Sequence, residues 1–516
     1  MTTLANEKSG RPRGGSQVLG LIAGLALIAA ALGGATPASH AAARAQPLLL
    51  QIAAQNPDQL VDIIVQQVAR DGGAQAQAAV LGGHVTQDLA IINAFAAEMR
   101  AAAALQLARN ADVRWVSLDA PMGLDLCSQC VDVSKLASAY IRAVRAPQVW
   151  NQSPYRQGQG IGIAVVDSGI NPNADLYTTM GVNRQVADAH FNTDYNNNAT
   201  DGYGHGTVVS SILGGDGSDS GGKYIGVAPM VNVINVKVTN DDGSATTSSV
   251  VAGLQWVLEN KGTYNIRVVN LSFNSSVAES YRTSPLDAAV EVLWFNEIVV
   301  VASAGNQGGG AIYPPANDPF IITVGATDDK GSATLSDDVI ASFSAYGTTA
   351  DGFQKPDLVA PGKGIVGRMV NTNMGMGQAH PLNVISGSYF KMSGTSVSAP
   401  IVSGAVALLL QDEPNLNPDQ VKYRLTATAN KNWAGYNAAK AGAGYLDVLA
   451  AVNGTSTESA NTGQYASQLL STGTEPITWS SVGWNSVGWN SVGWNSVGWN
   501  SVGWNSVGWN SDYWGR

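Results

Sequence analysis

Met392-Ser-Gly-Thr-Ser-Val-Ser-Ala-Pro400 sets one serine, Ser396, at a tight turn that runs straight into an apolar stretch. A nucleophilic hydroxyl needs that setting: small neighbours, a sharp turn and a helix to hold it. Gly394 permits the turn, and Val397 to Leu410 predict a buried helix whose first turn accommodates Pro400. A Gly-Thr-Ser tripeptide alone is common. Its weight comes from three upstream stretches in fixed order: Asp167-Ser-Gly169, Gly204-His-Gly-Thr207 and Ala304-Gly-Asn306.

Around these stretches, apolar strands alternate with helices. Ile161 to Val166 runs apolar into Asp167, and Val231–Val238, Val268–Phe273, Ile298–Ala302 and Ile321–Gly325 read the same way. Thr247–Asn260 and Pro285–Asn296 read as helices between them. Strands that are apolar throughout and separated by helices predict an α/β fold with a mostly parallel sheet covered on both faces. The marked residues fall at strand ends and helix starts, where open α/β sheets place their sites.

Acyl transfer to water needs a nucleophile, a base, a group that orients the base, and donors for the developing oxyanion. The chain has 5 histidines, so the base follows by elimination. His40 lies in the N-terminal leader, His84 in a separate N-terminal region, and His190 and His380 in loop-like surroundings without a motif. His205, between Gly204 and Gly206 and opening the apolar helix Thr207–Leu213, is the base. Asp167 ends a buried strand, where a carboxylate stays desolvated and orients an imidazole; taken alone it reads as a turn-forming Asp before Ser-Gly. Asn306 follows a strand and Ala304-Gly305, so its amide can donate to an oxyanion, though a lone Gly-Asn is usually a turn.

Together these stretches resemble the subtilisin-like serine proteases. The resemblance runs over about Ala146 to Val452 and rests on Val165-Val-Asp-Ser-Gly-Ile170, Gly204-His-Gly-Thr207, Gly226-Val-Ala-Pro229, Ala302-Ser-Ala-Gly-Asn306, Lys355-Pro-Asp-Leu-Val-Ala-Pro-Gly362 and Gly394-Thr-Ser-Val-Ser-Ala-Pro400. It implies a three-layer α/β fold, a triad of Asp167, His205 and Ser396, and an oxyanion hole of Asn306 with the Ser396 backbone N–H. It also implies polypeptide substrates and no required cofactor. Ser272, Phe273, Asn274, Ala304 and Gly305 fall in its substrate-lining segments, and Asp175 at a position where some members hold a structural calcium. Two blocks depart from the family pattern: Val208-Val-Ser-Ser211 replaces His-Val-Ala-Gly, and Ser272-Phe-Asn-Ser275 replaces Ser-Leu-Gly-Gly.

Residues 44–125 form a smaller α+β domain by their pattern. Helical periodicity is read at Leu60, Ile63, Ile64 and Val68 and again over Ile91–Met99, with strands at Ala79–Leu81 and Val113–Leu118. By the same resemblance this is an inhibitory propeptide that templates folding and blocks the cleft, with self-cleavage between about Ala120 and Val131. Ahead of it, Lys8, Arg11 and Arg13 precede the apolar run Val18–Leu32 and small residues to Ala43, the order of a secretory signal peptide over residues 1–43. The rival reading is an uncleaved anchor, because Gly33–Ala35 extend the run towards spanning length. Export is expected, to the medium or the cell surface, and Cys127 and Cys130 then read first as a local disulfide, with a redox C-x-x-C motif as the alternative.

Composition agrees with this and excludes one class. Charged residues make up 13% of the chain and its net charge is −10, with no basic cluster, which argues against nucleic acid. The peptidase domain is expected over 126–455 and a linker over 456–478. In the tail, 479–516, Ser-Val-Gly-Trp-Asn repeats 6 times from Ser481 to Asn510. Five-residue spacing fits neither a helical nor a strand face, so the tail reads as disordered and adhesive, as a stack for sugars at a cell surface, or as a self-association device. The function expected is a secreted serine endopeptidase made as a self-processing zymogen. The alternative is a surface-binding protein that uses the same scaffold to present the tail.

Overall fold

The computed structural model describes residues 44–119, 130–178, 181–193 and 198–470. The leader 1–43, Cys127, almost all of the expected cleavage stretch and the repeat tail lie outside the described residues. The chain divides into two compact units, residues 1–126 and 127–516.

The first unit holds α1 (Pro47–Gln55), β1 (Leu60–Gln67), α2 (Gly73–Val80), β2 (His84–Leu89), β3 (Ala94–Arg100), α3 (Ala101–Leu107) and β4 (Val113–Leu118). Its four strands form a sheet in the order β2-β3-β1-β4, with β3 antiparallel to β1 and β2, and β4 antiparallel to β1. This corrects the sequence reading in three places. Of the periodic stretches, Leu60–Gln67 and residues 94–99 are strands, Ile91 and Ile92 form a short 3-10 turn before the second, and Ala79–Leu81 is the end of a helix. The reason lies in the period: Val61, Ile63, Val65 and Gln67 are buried in strict alternation, whereas in β3 the small Ala94 and Ala96 are buried along with Phe95, Ala97 and Met99. Period two with β-branched residues is strand chemistry, and the alanines that flank it blurred the signal. Only β4 stands where it was expected.

In the second unit the sheet is built from β5 (Gly162–Asp167), β6 (Gln185–His190), β7 (Asn232–Lys237), β8 (Ile266–Leu271), β9 (Val299–Ser303), β10 (Ile322–Asp328), β11 (Val339–Ile340) and β14 (Leu358–Pro361). Between β11 and β14 lies a two-stranded ribbon, β12 (Gly347–Thr348) with β13 (Gln354–Lys355). The order is β11-β10-β9-β8-β5-β7-β6, with β14 also on β10. Every pair is parallel except β10–β11. All six residues of β5 are buried, so the sheet must be covered on both faces. On one side pack α6 (His205–Gly214) and α10 (Thr395–Asp412); α7 (Thr247–Asn260) and α8 (Pro285–Phe295) pair on the other. This is the three-layer α/β fold the sequence predicts.

The remaining elements frame the site. A three-stranded sheet, β15 (Ile365–Arg368), β16 (Val384–Ile385) and β17 (Tyr389–Met392), leads into α10. The short helix α9 (Gly375–Ala379) sits within its long connection. After α10 come α11 (Pro418–Ala427), α12 (Ala438–Ala441) and α13 (Val448–Asn453), preceded by the short α4 (Ala139–Ala143) and α5 (Ala146–Trp150) at the unit's start. Cys130 is disulfide-bonded.

Candidate active site

β5 and β8 are neighbours in the sheet, so their C-terminal ends open onto one edge. Asp167 is the last residue of β5 and is fully buried. Its Oδ1 lies 2.8 Å and its Oδ2 3.0 Å from His205 Nδ1. A carboxylate can only accept, so the imidazole proton sits on Nδ1 and the lone pair on Nε2. The Ser168 N–H donates to the same Oδ1 at 2.7 Å, which fixes the plane of the carboxylate.

His205 is the first residue of α6, and Gly204 before it has no side chain to cap the helix. The cap comes from elsewhere. Asp201, fully buried in the loop ahead, accepts from Gly204 N–H (2.6 Å), Thr207 N–H (2.8 Å) and Thr207 Oγ1 (2.6 Å). The Ser168 hydroxyl donates to Asp201 at 2.8 Å and accepts the Gly206 N–H at 2.9 Å. Burial pushes the Asp201 carboxyl above its usual range, and these hydrogen bonds pull it partly back. Asp201 therefore ties the strand that carries Asp167 to the helix that carries His205. Sequence reasoning missed it; the signal was an acid four residues before the histidine in Asp201-Gly-Tyr-Gly-His205. Gly206 is required by proximity, since a Cβ there would stand 2.2 Å from the Gly169 carbonyl oxygen.

Ser396 is the second residue of α10. Pro400 is inside that helix, beyond the first turn where the sequence placed it. An interior proline has no N–H for the carbonyl four residues back, which here belongs to Ser396. The Ser272 hydroxyl fills the gap, donating to the Ser396 carbonyl at 2.9 Å. Ser272 is oriented by Asn270 Nδ2 at 2.8 Å, and Asn270 in turn accepts from Ser403 Oγ at 2.9 Å. Ser272 thus supports the Ser396 backbone and is fully buried.

Asn306 lies against the same helix start. Its Oδ1 accepts from the Thr395 N–H at 2.8 Å and the Thr395 hydroxyl at 3.0 Å. That hydroxyl also accepts the Gly305 N–H at 3.0 Å. With the oxygen held, the amide nitrogen faces Gly394: a Cβ on Gly394 would meet Nδ2 at 3.1 Å. A donor is therefore presented beside the turn that carries Ser396. The two expected substrate-lining segments are joined as well, because Asn274 Nδ2 donates to the Ser303 carbonyl at 2.8 Å. Phe273 and Ala304 are buried, Asn274 is half-buried, and Gly305 has a φ of +108°.

Asp175 does not fit a calcium ligand. Its carboxylate is met by donors, the Asp219 N–H at 2.8 Å and the Tyr389 hydroxyl at 2.9 Å. A guanidinium already occupies the nearby carbonyls: Arg184 donates to the Asp175, Gly214 and Val231 oxygens. Calcium needs a cage of oxygen acceptors, and among the described residues no group of three or more His, Cys, Asp or Glu is placed to hold a metal. Burial raises the Asp175 pKa to about 6.

Comparison with known proteins bears on what this edge does. The model of the subtilase family matches residues 158–445, more than half of the chain. Serine protease AprX of Bacillus subtilis (strain 168) is 35% identical over 310 residues, spanning 58% of this chain and 68% of that protein. Subtilisin DY of Bacillus licheniformis is 31% identical over 293 residues, spanning 56% of this chain and 90% of that protein. The crystal structure of a cold adapted subtilisin-like serine proteinase matches at 29% identity and a TM-score of 0.41, over 56% of this chain and 88% of that one.

Proposed function

The chain belongs to the subtilase family and is a subtilisin-like serine endopeptidase, and on that premise we propose that Asp167, His205 and Ser396 are its catalytic triad. The buried His205–Asp167 pair at the end of β5 carries the reading. His205 Nε2 takes the Ser396 proton as Oγ attacks a peptide carbonyl. The Ser396 N–H and Asn306 Nδ2 stabilise the oxyanion, and His205 then protonates the leaving amine. Water repeats the sequence to free the acyl-enzyme. Protein groups carry every step, and no cofactor is needed. Polypeptides are the substrates, with Phe273, Asn274, Ala304 and Gly305 lining their path.

The zymogen reading belongs to the same proposal: residues 1–43 export the chain, and residues 44–125 are a propeptide that chaperones and inhibits the peptidase of 126–455. The first unit supports this, because it has its own sheet and buried core. Serine protease relatives do not favour the surface-binding scaffold. Intact masses of the parent and of Ser396→Ala test the proposal. The parent should split near residues 120–131 while the variant stays whole; a folded parent that stays whole sinks self-processing, and a variant that splits like the parent removes Ser396 as nucleophile.

A further inference from the structure

The family match ends at residue 445, and the described residues continue to Leu470. Residues 454–470 run across the second unit as a strap with little regular structure. Its first half is anchored on α11. Arg424 donates to the Ser456 carbonyl at 2.8 Å, Ser459 Oγ donates to Asp419 Oδ2 at 2.8 Å, and Asn461 Nδ2 donates to Asp419 Oδ1 at 2.7 Å.

The second half grips a different segment. After Ser275 the chain forms a loop, residues 276–284, before entering α8. Its tip, Ser276–Ala278, is exposed, with Val277 47% exposed only three residues beyond Asn274. The far side of the loop is tied down. Tyr281 OH donates to the Tyr465 carbonyl at 2.8 Å, and the Arg282 carbonyl accepts from Gln468 N–H and Ser467 Oγ, both at 2.9 Å. The Arg282 guanidinium lies 5.8 Å over the Tyr465 ring. The Ser467 N–H is in turn held at 2.7 Å by Glu291 Oε2, a fully buried carboxyl on α8. Tyr281 is 2% exposed and Ser467 is fully buried, so the two hydroxyl donors are largely shielded, while Tyr465 is 37% exposed.

We propose that the strap 454–470 positions the 276–284 loop as a wall of the cleft, so that Ser467 and Tyr465 set how well extended peptides bind. This rests on the protease reading above and on Asn274 lining the substrate path. Strand β8 and loop 276–284 are continuous chain; Asn317 Nδ2 holds the Glu279 carbonyl at 2.9 Å and Asp351 accepts from the Ser280 hydroxyl at 2.6 Å, and the strap bonds at Tyr281 and Arg282 complete this anchoring of the loop's far side. A single-residue substrate never reaches that wall; a peptide of four or more residues does.

The test uses the full-length chain in five forms: parent, Tyr281→Phe, Ser467→Ala, both together, and Ser467→Thr. Each single change deletes one hydroxyl, and Ser467→Thr serves as the conservative rescue. Values of kcat and KM are measured for a single-residue ester and for an extended peptide amide, alongside the melting temperature. Loss of one or two of these hydrogen bonds should raise KM for the extended substrate by about three- to ten-fold, with ester kinetics unchanged and Ser467→Thr near the parent. An unchanged ratio of extended to short substrate, whether or not melting shifts, reduces the strap to a stabilising element and overturns the inference. A parent with no Ser396-dependent hydrolysis overturns the protease reading, and this inference with it.

Discussion

Thr395 offers a direct test of how the oxyanion donor is aimed. Its hydroxyl donates to Asn306 Oδ1 at 3.0 Å and accepts the Gly305 N–H at 3.0 Å. Thr395→Val keeps the shape, keeps the backbone N–H bond to Asn306, and deletes only those two interactions. One neutral hydrogen bond is worth about 0.5–1.5 kcal/mol. If that energy aims the amide, kcat should fall by about two- to twelve-fold. That is well short of the roughly 10²–10³-fold expected when the donor itself is removed in Asn306→Ala. KM should barely move, because the oxyanion exists only on the way over the barrier. The orphaned Gly305 N–H should cost about 1–3 kcal/mol of stability, read from urea unfolding. Thr395→Ser, which keeps the hydroxyl, should behave as the parent. The decisive arm is the double variant. If Thr395 works through Asn306, Thr395→Val has little further effect on kcat once Asn306 is Ala. The same fold-loss in both backgrounds would refute the reasoning.

Three further outcomes follow from the geometry. Asp201→Ala strips the acceptor from the buried Gly204 and Thr207 N–H groups; it should cost at least about 2–3 kcal/mol and lower kcat more than KM, while unaltered kinetics in a folded variant would deny Asp201 its role. Gly206→Ala puts a methyl 2.2 Å from the Gly169 oxygen and 3.1 Å from Asp167 Oδ1; overpacking of that kind costs about 1–3 kcal/mol, and melting and kcat should fall together. Asp175, with its pKa raised by burial to about 6 from the usual 3.8, binds its proton more tightly folded than unfolded. Its contribution is therefore fully present below about pH 4 and lost as pH rises to about 6, a change of about 3 kcal/mol. Asp175→Asn, in the Ser396→Ala background to prevent autolysis, should flatten that stretch of the stability–pH curve; an unchanged slope would assign it to other groups.

Much of the second unit was legible because its strands are buried on both faces. A run such as Ile161–Val166 has one reading, and the Asp that ends it is placed by the sheet. The first unit was not, because an alanine fits a helix face as easily as a strand face, and only Val61, Ile63 and Val65 marked the true period. The candidate site divides along the same line. Asp167, His205, Ser396 and Asn306 stand in local motifs, and Asp167–His205 and Asn306–Thr395 meet as those motifs imply. The part played by Ser272 depends on chain brought in from a distance, and so does the tie from Asp201 to Ser168, although Asp201 caps its own neighbours Gly204 and Thr207. No local pattern tells a buried carboxylate from a turn, or says whose hydroxyl a helical proline will need.

The proline inside α10 leaves the molecule with a shared dependency. Pro400 and Ser272 lie 128 positions apart in the sequence, yet one vacates the very acceptor that the other occupies. Neither can drift freely. A chain that loses the Ser272 hydroxyl carries a bare carbonyl at Ser396, and one that regains an N–H at position 400 supplies that oxygen with a donor of its own. Pro400→Ala should therefore suppress the loss in Ser272→Ala. A nucleophile helix grafted into another scaffold would have to bring the far strand's serine with it.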